Sequence, residues 1–306
     1  MIEVKRILFP TDFSPHATEV LKFAVHLAQK FNAELYLFHA IVLYEDDPNN
    51  PDHRFPDLTE SAEQIKQIAS DRLDSSYADY AGLPIKVHKE TRRGISAYQE
   101  IIEFAKEKDI DLIVIGTHGR SGLSHLLLGS VTEKVVRYAP CPVLTIGKEA
   151  IKRPLPLEVK NILVPVDFST YSAEALKYAV SVGELYGSRL HLLYVVEEPV
   201  YPAFYSSGTF NALQILSDLP QRAKRAMTKF LKENAPTELK VVKEVRDGKP
   251  EDEILQYADE KKIDLIVMAT HGLSGLDRFL LGSTTERVIR KAKCPVLSVK
   301  LKKEED

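Results

Sequence analysis

Cysteine is nearly missing from this chain: 306 residues contain two, Cys141 and Cys294. Each opens a Cys-Pro-Val-Leu run at the start of an apolar strand in its own half. That usage excludes a disulfide framework and a cysteine-built metal site, and it gives both residues the character of small buried hydrophobes. Long apolar runs are also lacking. The longest, "LYLF" and "LIVIG", are strand-sized, far short of the roughly 20 residues that cross a bilayer, and "MIEVKRILFPTDFS" at the N-terminus has no signal-peptide core. No charge of one sign prevails: a formal net charge of -3 creates no field to recruit nucleic acid or anionic lipid. A cytoplasmic protein is expected, with neither nucleic acid nor membrane as partner. With 44% hydrophobic and 28% charged residues, the chain has the composition of a soluble globular protein of two domains.

What is present is present twice. "KRILFPTDFS" at 5–14 returns as "KNILVPVDFS" at 160–169, "DLIVIGTHG" at 111–119 as "DLIVMATHG" at 264–272, and "CPVLTI" as "CPVLSV". The join falls in "GKEAIKRPLPLEVK" (147–160), where two prolines and scattered charges suit an extended linker between domains at 1–148 and 158–301. Each half alternates strands with helices. "RILFPT" is a strand, and Ser14-Pro15 then forms an N-cap and first-turn pair. Ala17, Leu21, Ala24, Ala28 and Phe31 recur on one face of the helix that follows. "AELYLFHAIV", "PIKVHKET" (84–91), "IDLIVIGT" and "CPVLTIG" read as four further strands, separated by three more helices. "IDLIVIGT" is almost continuously apolar, as a parallel strand covered on both faces should be. Two α/β domains follow, each a five-stranded parallel sheet with right-handed crossovers.

In such a sheet ligands bind beyond the carboxyl ends of the strands. Two repeated loops fall there. The first ends strand one: Pro10, Thr11 and Asp12, matched by Pro165, Val166 and Asp167. The aspartate there can accept hydrogen bonds from ribose hydroxyls or a base amino group, or can join Ser14 in capping the helix; the sequence leaves both open. The second loop ends strand four. Gly116, Gly119, Gly129 and Ser130 bring bare backbone to both ends of a long loop whose far end opens a helix. Glycine admits positive φ and close approach, and free N–H groups at a helix start favour an anion. No lysine follows Gly129, so the loop is not a Walker A motif. His118 and His271 share one position in this loop. No acid or nucleophile is repeated beside them, so phosphate contact or loop packing suits them better than general-base catalysis.

"FPTDFS" and "VPVDFS", followed in each half by the G-x-x-G-9x-G-S pattern or a near copy, resemble the universal stress protein family over nearly the whole chain. The resemblance implies two tandem Rossmann-like domains of strand order 3-2-1-4-5, with ATP or AMP bound, Mg²⁺ accompanying ATP, and a stress-response or regulatory role. It implies Asp12 and Asp167 at the adenosine end and backbone of Ala40 and Val195 at adenine. Ile115 and Gly116, with Met268 and Ala269, would border base and ribose. Gly119, Gly129, Ser130 and Val131, matched by Gly272, Gly282, Ser283 and Thr284, would hold phosphates. Ala269 departs from the family's glycine, and its methyl group would crowd the ribose of the second site or change nothing. The family's pairing through the last strand implies an intramolecular pseudo-dimer of the two halves, with homodimers of whole chains as a further step. The alternatives are a slow ATP hydrolase or phosphoryl-transfer enzyme and a nucleotide-free interaction scaffold.

His39, Asp46, Asp47, Asp52 and His53 are irregularly spaced and unrepeated in the second half, which argues against a metal site. The loops 43–58 and 197–211 better suit lids over the nucleotide mouth or partner surfaces.

Overall fold

The computed structural model describes residues 3–42, 59–119, 128–154, 158–197, 211–271 and 281–301. The chain divides into two compact units, Glu3–Leu157 and Glu158–Asp306. The first runs β1 (Arg6–Pro10), α1 (Pro15–Phe31), β2 (Glu34–Val42), α2 (Thr59–Tyr77), β3 (Val87–Gly94), α3 (Ala97–Glu107), β4 (Leu112–Gly116), α4 (Ser130–Tyr138) and β5 (Val143–Ile146). Its strands are parallel and ordered β3-β2-β1-β4-β5. Ile7 aligns with Leu35 on one side and Leu112 on the other, so β1 and β4 are neighbours whose carboxyl ends meet the two repeated loops. Chain order reverses direction between them, and that reversal opens the crevice.

Local sequence accounts for α1. The Ser14 hydroxyl accepts from the Ala17 N–H at 3.2 Å, Pro15 occupies the first turn, and Asn32 closes the helix in the left-handed conformation at φ 53°. Ala17, Leu21, Ala24 and Ala28 are buried as the spacing predicts, together with Val20, Phe23, Val25 and Leu27. The buried face is broader than one stripe because α1 packs across β1, β2 and β4 at once. Phe31, at the helix end, is only half-buried. Right-handed crossovers place α1 and α2 on one face and α3 and α4 on the other. Accordingly α1 and α2 pack on β1 to β4, and α3 packs on β2, β3 and α4.

The second unit repeats this with β6 (Asn161–Pro165), α5 (Thr170–Tyr186), β7 (Arg189–Val196), α6 (Asn211–Asn234), β8 (Val241–Asp247), α7 (Pro250–Glu260), β9 (Leu265–Ala269), α8 (Ser283–Lys291) and β10 (Val296–Val299). The order is β8-β7-β6-β9-β10. Cys141 and Cys294 are both buried, and neither is in a disulfide.

Two segments differ from expectation. β3 runs to Gly94 instead of ending at Thr91, because its partner β2 is long and holds it in register from Leu35↔Val87 to Val42↔Gly94. Arg92 and Arg93 hide this from an apolar count, while Arg92 pairs with Glu107 and Lys89 with Asp74 on the helices above and below. In the second unit Arg246 of β8 likewise pairs with Glu253 and Glu260. The linker is not wholly extended: Ala150–Lys152 form a 3-10 turn whose Ala150 is fully buried.

Candidate functional site

The β1–α1 loop is built on a disfavoured residue. The Thr11 N–H extends the strand ladder by bonding the Phe38 carbonyl at 2.9 Å, and Phe13 then adopts φ 61°. A left-handed phenylalanine costs about 1–2 kcal/mol, yet Phe168 repeats it at φ 63°. Backbone strain retained twice marks a position where the loop's shape matters. The turn aims Asp12 two ways. Its Oδ1 accepts from the Ser14 N–H at 3.0 Å, while Oδ2 faces Gly119, where a Cβ would lie 2.7 Å away. Asp12 therefore serves the helix start with one oxygen and the opposite loop with the other. Asp167 Oδ1 accepts from the Ser169 N–H at 3.0 Å and its hydroxyl at 2.6 Å. Behind the loop, the Phe13 ring lies 4.4 Å from that of His39, whose Nδ1–H donates to the Thr11 carbonyl at 2.7 Å. Phe168 meets Tyr194 at 5.0 Å.

The β4–α4 loop is clamped by threonines that the sequence reading passed over. Thr132 Oγ1 donates to the Gly116 carbonyl at 2.7 Å, and the Gly129 N–H donates to the Thr117 carbonyl at 2.9 Å. Thr117 Oγ1 lies 2.8 Å from His118 Nδ1. The second unit repeats each contact. Thr285 bonds the Ala269 carbonyl at 2.8 Å, Gly282 the Thr270 carbonyl at 2.9 Å, and Thr270 lies 2.9 Å from His271 Nδ1. The recurrence of Thr117, Thr132, Thr270 and Thr285 in both halves was the available signal. The Gly129 N–H is thus engaged by the loop's own Thr117 carbonyl. The Gly129 φ of -59° is ordinary. Glycine is needed there for close approach, since a Cβ would sit 3.2 Å from the Thr117 carbonyl oxygen.

The donors that remain are one step further on. Gly129 gives α4 no side-chain cap, so the N–H groups of Ser130, Val131 and Thr132 lack an intrahelical acceptor. Gly282 leaves Ser283, Thr284 and Thr285 in the same position on α8. Ser130, Val131 and Ser283 are exposed, and Thr284 is half-exposed.

His16, on α1, explains Gly116. A Cβ there would lie 2.7 Å from His16 Cδ2. The His16 Nε2–H donates to the Ile146 carbonyl at 3.0 Å, its ring meets that of His118 edge-on at 5.8 Å, and burial pushes its pKa down. At the matching sequence position the second unit has Tyr171, 5.7 Å from the His271 ring, and Ala269 stands where the first unit has Gly116.

Pro10, Thr11, Asp12, Gly116, His118, Gly119, Gly129, Ser130 and Val131 thus gather at the carboxyl ends of β1 and β4, and Ala40 lies near that of β2. Pro165, Val166, Asp167, Val195, Ala269, His271, Gly282, Ser283 and Thr284 hold the matching places. Ile115 and Met268 lie buried in their strands. Gly272 and the loop interiors of 43–58 and 197–211, with Asp46, Asp47, Asp52 and His53, lie outside the described residues.

A family model described as the universal stress protein family matches the chain twice, over residues 3–147 and 158–300. A universal stress protein of Methanocaldococcus jannaschii is 38% identical over 146 residues, covering 48% of this chain and 85% of its own. The universal stress protein E homolog of Haemophilus influenzae is 29% identical over 220 residues, covering 67% of each chain. Among solved structures, a universal stress protein from Archaeoglobus fulgidus is similar with a TM-score of 0.64 at 25% identity, covering 99% of both chains.

Proposed function

The chain belongs to the universal stress protein family, and from that premise we propose that it binds an adenine nucleotide, ATP or AMP, and acts as a stress-response or regulatory protein whose contacts depend on occupancy. One observation carries the reading: three N–H groups at an uncapped helix start stand at the same strand ends as a carboxylate that faces the glycine loop. The helix start, with its dipole, grips a phosphate tail, and Asp12 receives the ribose or base. Mg²⁺ would ride on the phosphates of ATP, since among the described residues no three His, Cys, Asp or Glu groups converge to hold it.

Ser130→Pro separates binding from folding. Proline suits the first helical position, where no intrahelical N–H bond is lost, and Gly129 at ψ 134° already has the extended conformation required before proline. The helix stands while both the backbone N–H and the hydroxyl of Ser130 disappear. Loss of one charge-assisted hydrogen bond is worth about 1.5–3 kcal/mol, so calorimetric titration of the first site with ATP should show an affinity about tenfold lower or worse. The unfolding midpoint of the empty protein should not fall. Unchanged ATP affinity in Ser130→Pro combined with Ser283→Pro would remove the phosphate assignment.

A further inference from the structure

Behind the β1–α1 loop the first unit holds an open groove of about 320 Å³ between α1 and α2. Asp12 turns toward Gly119, while Thr11 and Phe13 line this other side. Phe9 and Leu21 form its floor, Thr18, Ser75 and Ser76 its walls, and Arg72 its mouth. The second unit has filled the equivalent space. Leu73 and Met227 are matching buried anchors of α2 and α6, at 1% and 0% exposure. Three residues beyond each stand Ser76 and Phe230, and Phe230 is 9% exposed and packs edge-on against Phe168 at 5.6 Å. Around it Val166, Ala173 and Ala226 replace Thr11, Thr18 and Arg72. One copy of the fold therefore plugs this place with an apolar ring, and the other keeps it open and polar.

The polar groups have definite vacancies. Ser75, Ser76 and Thr18 donate their hydroxyl protons to the carbonyls of Asp71, Leu73 and Ser14, at 2.8, 2.9 and 3.2 Å. Their oxygens keep lone pairs that can accept. Thr11 Oγ1 accepts from the Phe13 N–H at 3.0 Å and keeps a proton to give. Arg72 makes no ion pair among the described residues; its guanidinium lies 5.8 Å from the Phe13 ring centre. Among the described acidic residues of α1 and α2, Asp71 accepts from Gln67, Asp74 pairs with Lys89, and Glu19 with Lys22. A guest must offer an anion to Arg72, a donor to the serine and threonine oxygens, and an apolar body to the part-exposed Phe13.

We propose that this groove is a second ligand site, specific to the first unit, for a small hydroxycarboxylate with an apolar body. The assignment does not rest on the nucleotide reading. Amide NMR of the full chain titrated with mandelate tests it, with benzyl alcohol as the counterpart lacking the carboxylate. Saturable shifts are expected at Thr11, Phe13, Thr18 and Ser76 and none at Phe168 or Phe230. Arg72→Gln should weaken binding about tenfold, the effect of ~1.4 kcal/mol. Ser76→Phe, which copies the second unit, should abolish it. Absence of saturable shifts, equal binding of benzyl alcohol, survival of binding in Ser76→Phe, or displacement of mandelate by ATP would each overturn the proposal.

Discussion

His16 and Gly116 form a matched pair, and Tyr171 with Ala269 is its counterpart in the other half. The Cβ of Gly116→Ala would press on the end of the His16 ring, and such overpacking costs about 1–3 kcal/mol. Adding His16→Tyr, which restores the second unit's combination, should recover part of that loss. Urea unfolding of the single and double variants would show it as a coupling of about 0.5 kcal/mol or more; strictly additive effects would refute the pairing. The sequence carried this unequally. The departure at Ala269 is visible in the motif, but the accompanying change at Tyr171 lies nearly a hundred residues upstream, beyond the reach of a local motif. Asp12 and the glycines were legible because special backbone needs special residues. The threonine clamp was not, since a buried Thr132 reads like any small helix residue until its carbonyl partner is known.

Among the elements, the start of α1 was legible because Ser14 announces it, and Ser169 caps α5 in the same way. Gly187 closes α5 at φ 66° with nothing within 4 Å of a Cβ built on it, so only conformation opposes a side chain. Gly187→Ala should therefore lower stability by about 1 kcal/mol, read from the denaturation midpoint, whereas Asn32→Gly at the matching end of α1 should be neutral or stabilising. A stabilised Gly187→Ala protein would contradict the cap. β3 was misplaced for a different reason: an edge strand bears one partner and needs few apolar residues, so register against β2, not composition, sets its limits.

At the scale of the molecule, acid should act in two stages. Burial lowers the pKa of His16, His26 and His191 from the ordinary 6.5. The unfolded chain then takes up protons that the folded chain refuses, so stability is full above about pH 6.5 and declines below it. Glu34, bonded to Lys86 and His88, has its carboxyl held down to about 2. Its contribution is present above the ordinary carboxylate range and is lost as pH falls toward that value. Urea midpoints should drop between about pH 7 and pH 5, less steeply in His16→Gln with His26→Gln, and a flat profile would count against burial of the neutral rings. The duplicated α/β plan itself was readable, since strands alternate with helices in both halves and parallel crossovers are right-handed; the strand order came from the family resemblance. The charged rows on β3 and β8 extend that plan outward. Their arginines are tied to covering helices, so each sheet's outer margin repels a visiting strand instead of templating it. Fibril growth along those margins is thereby disfavoured.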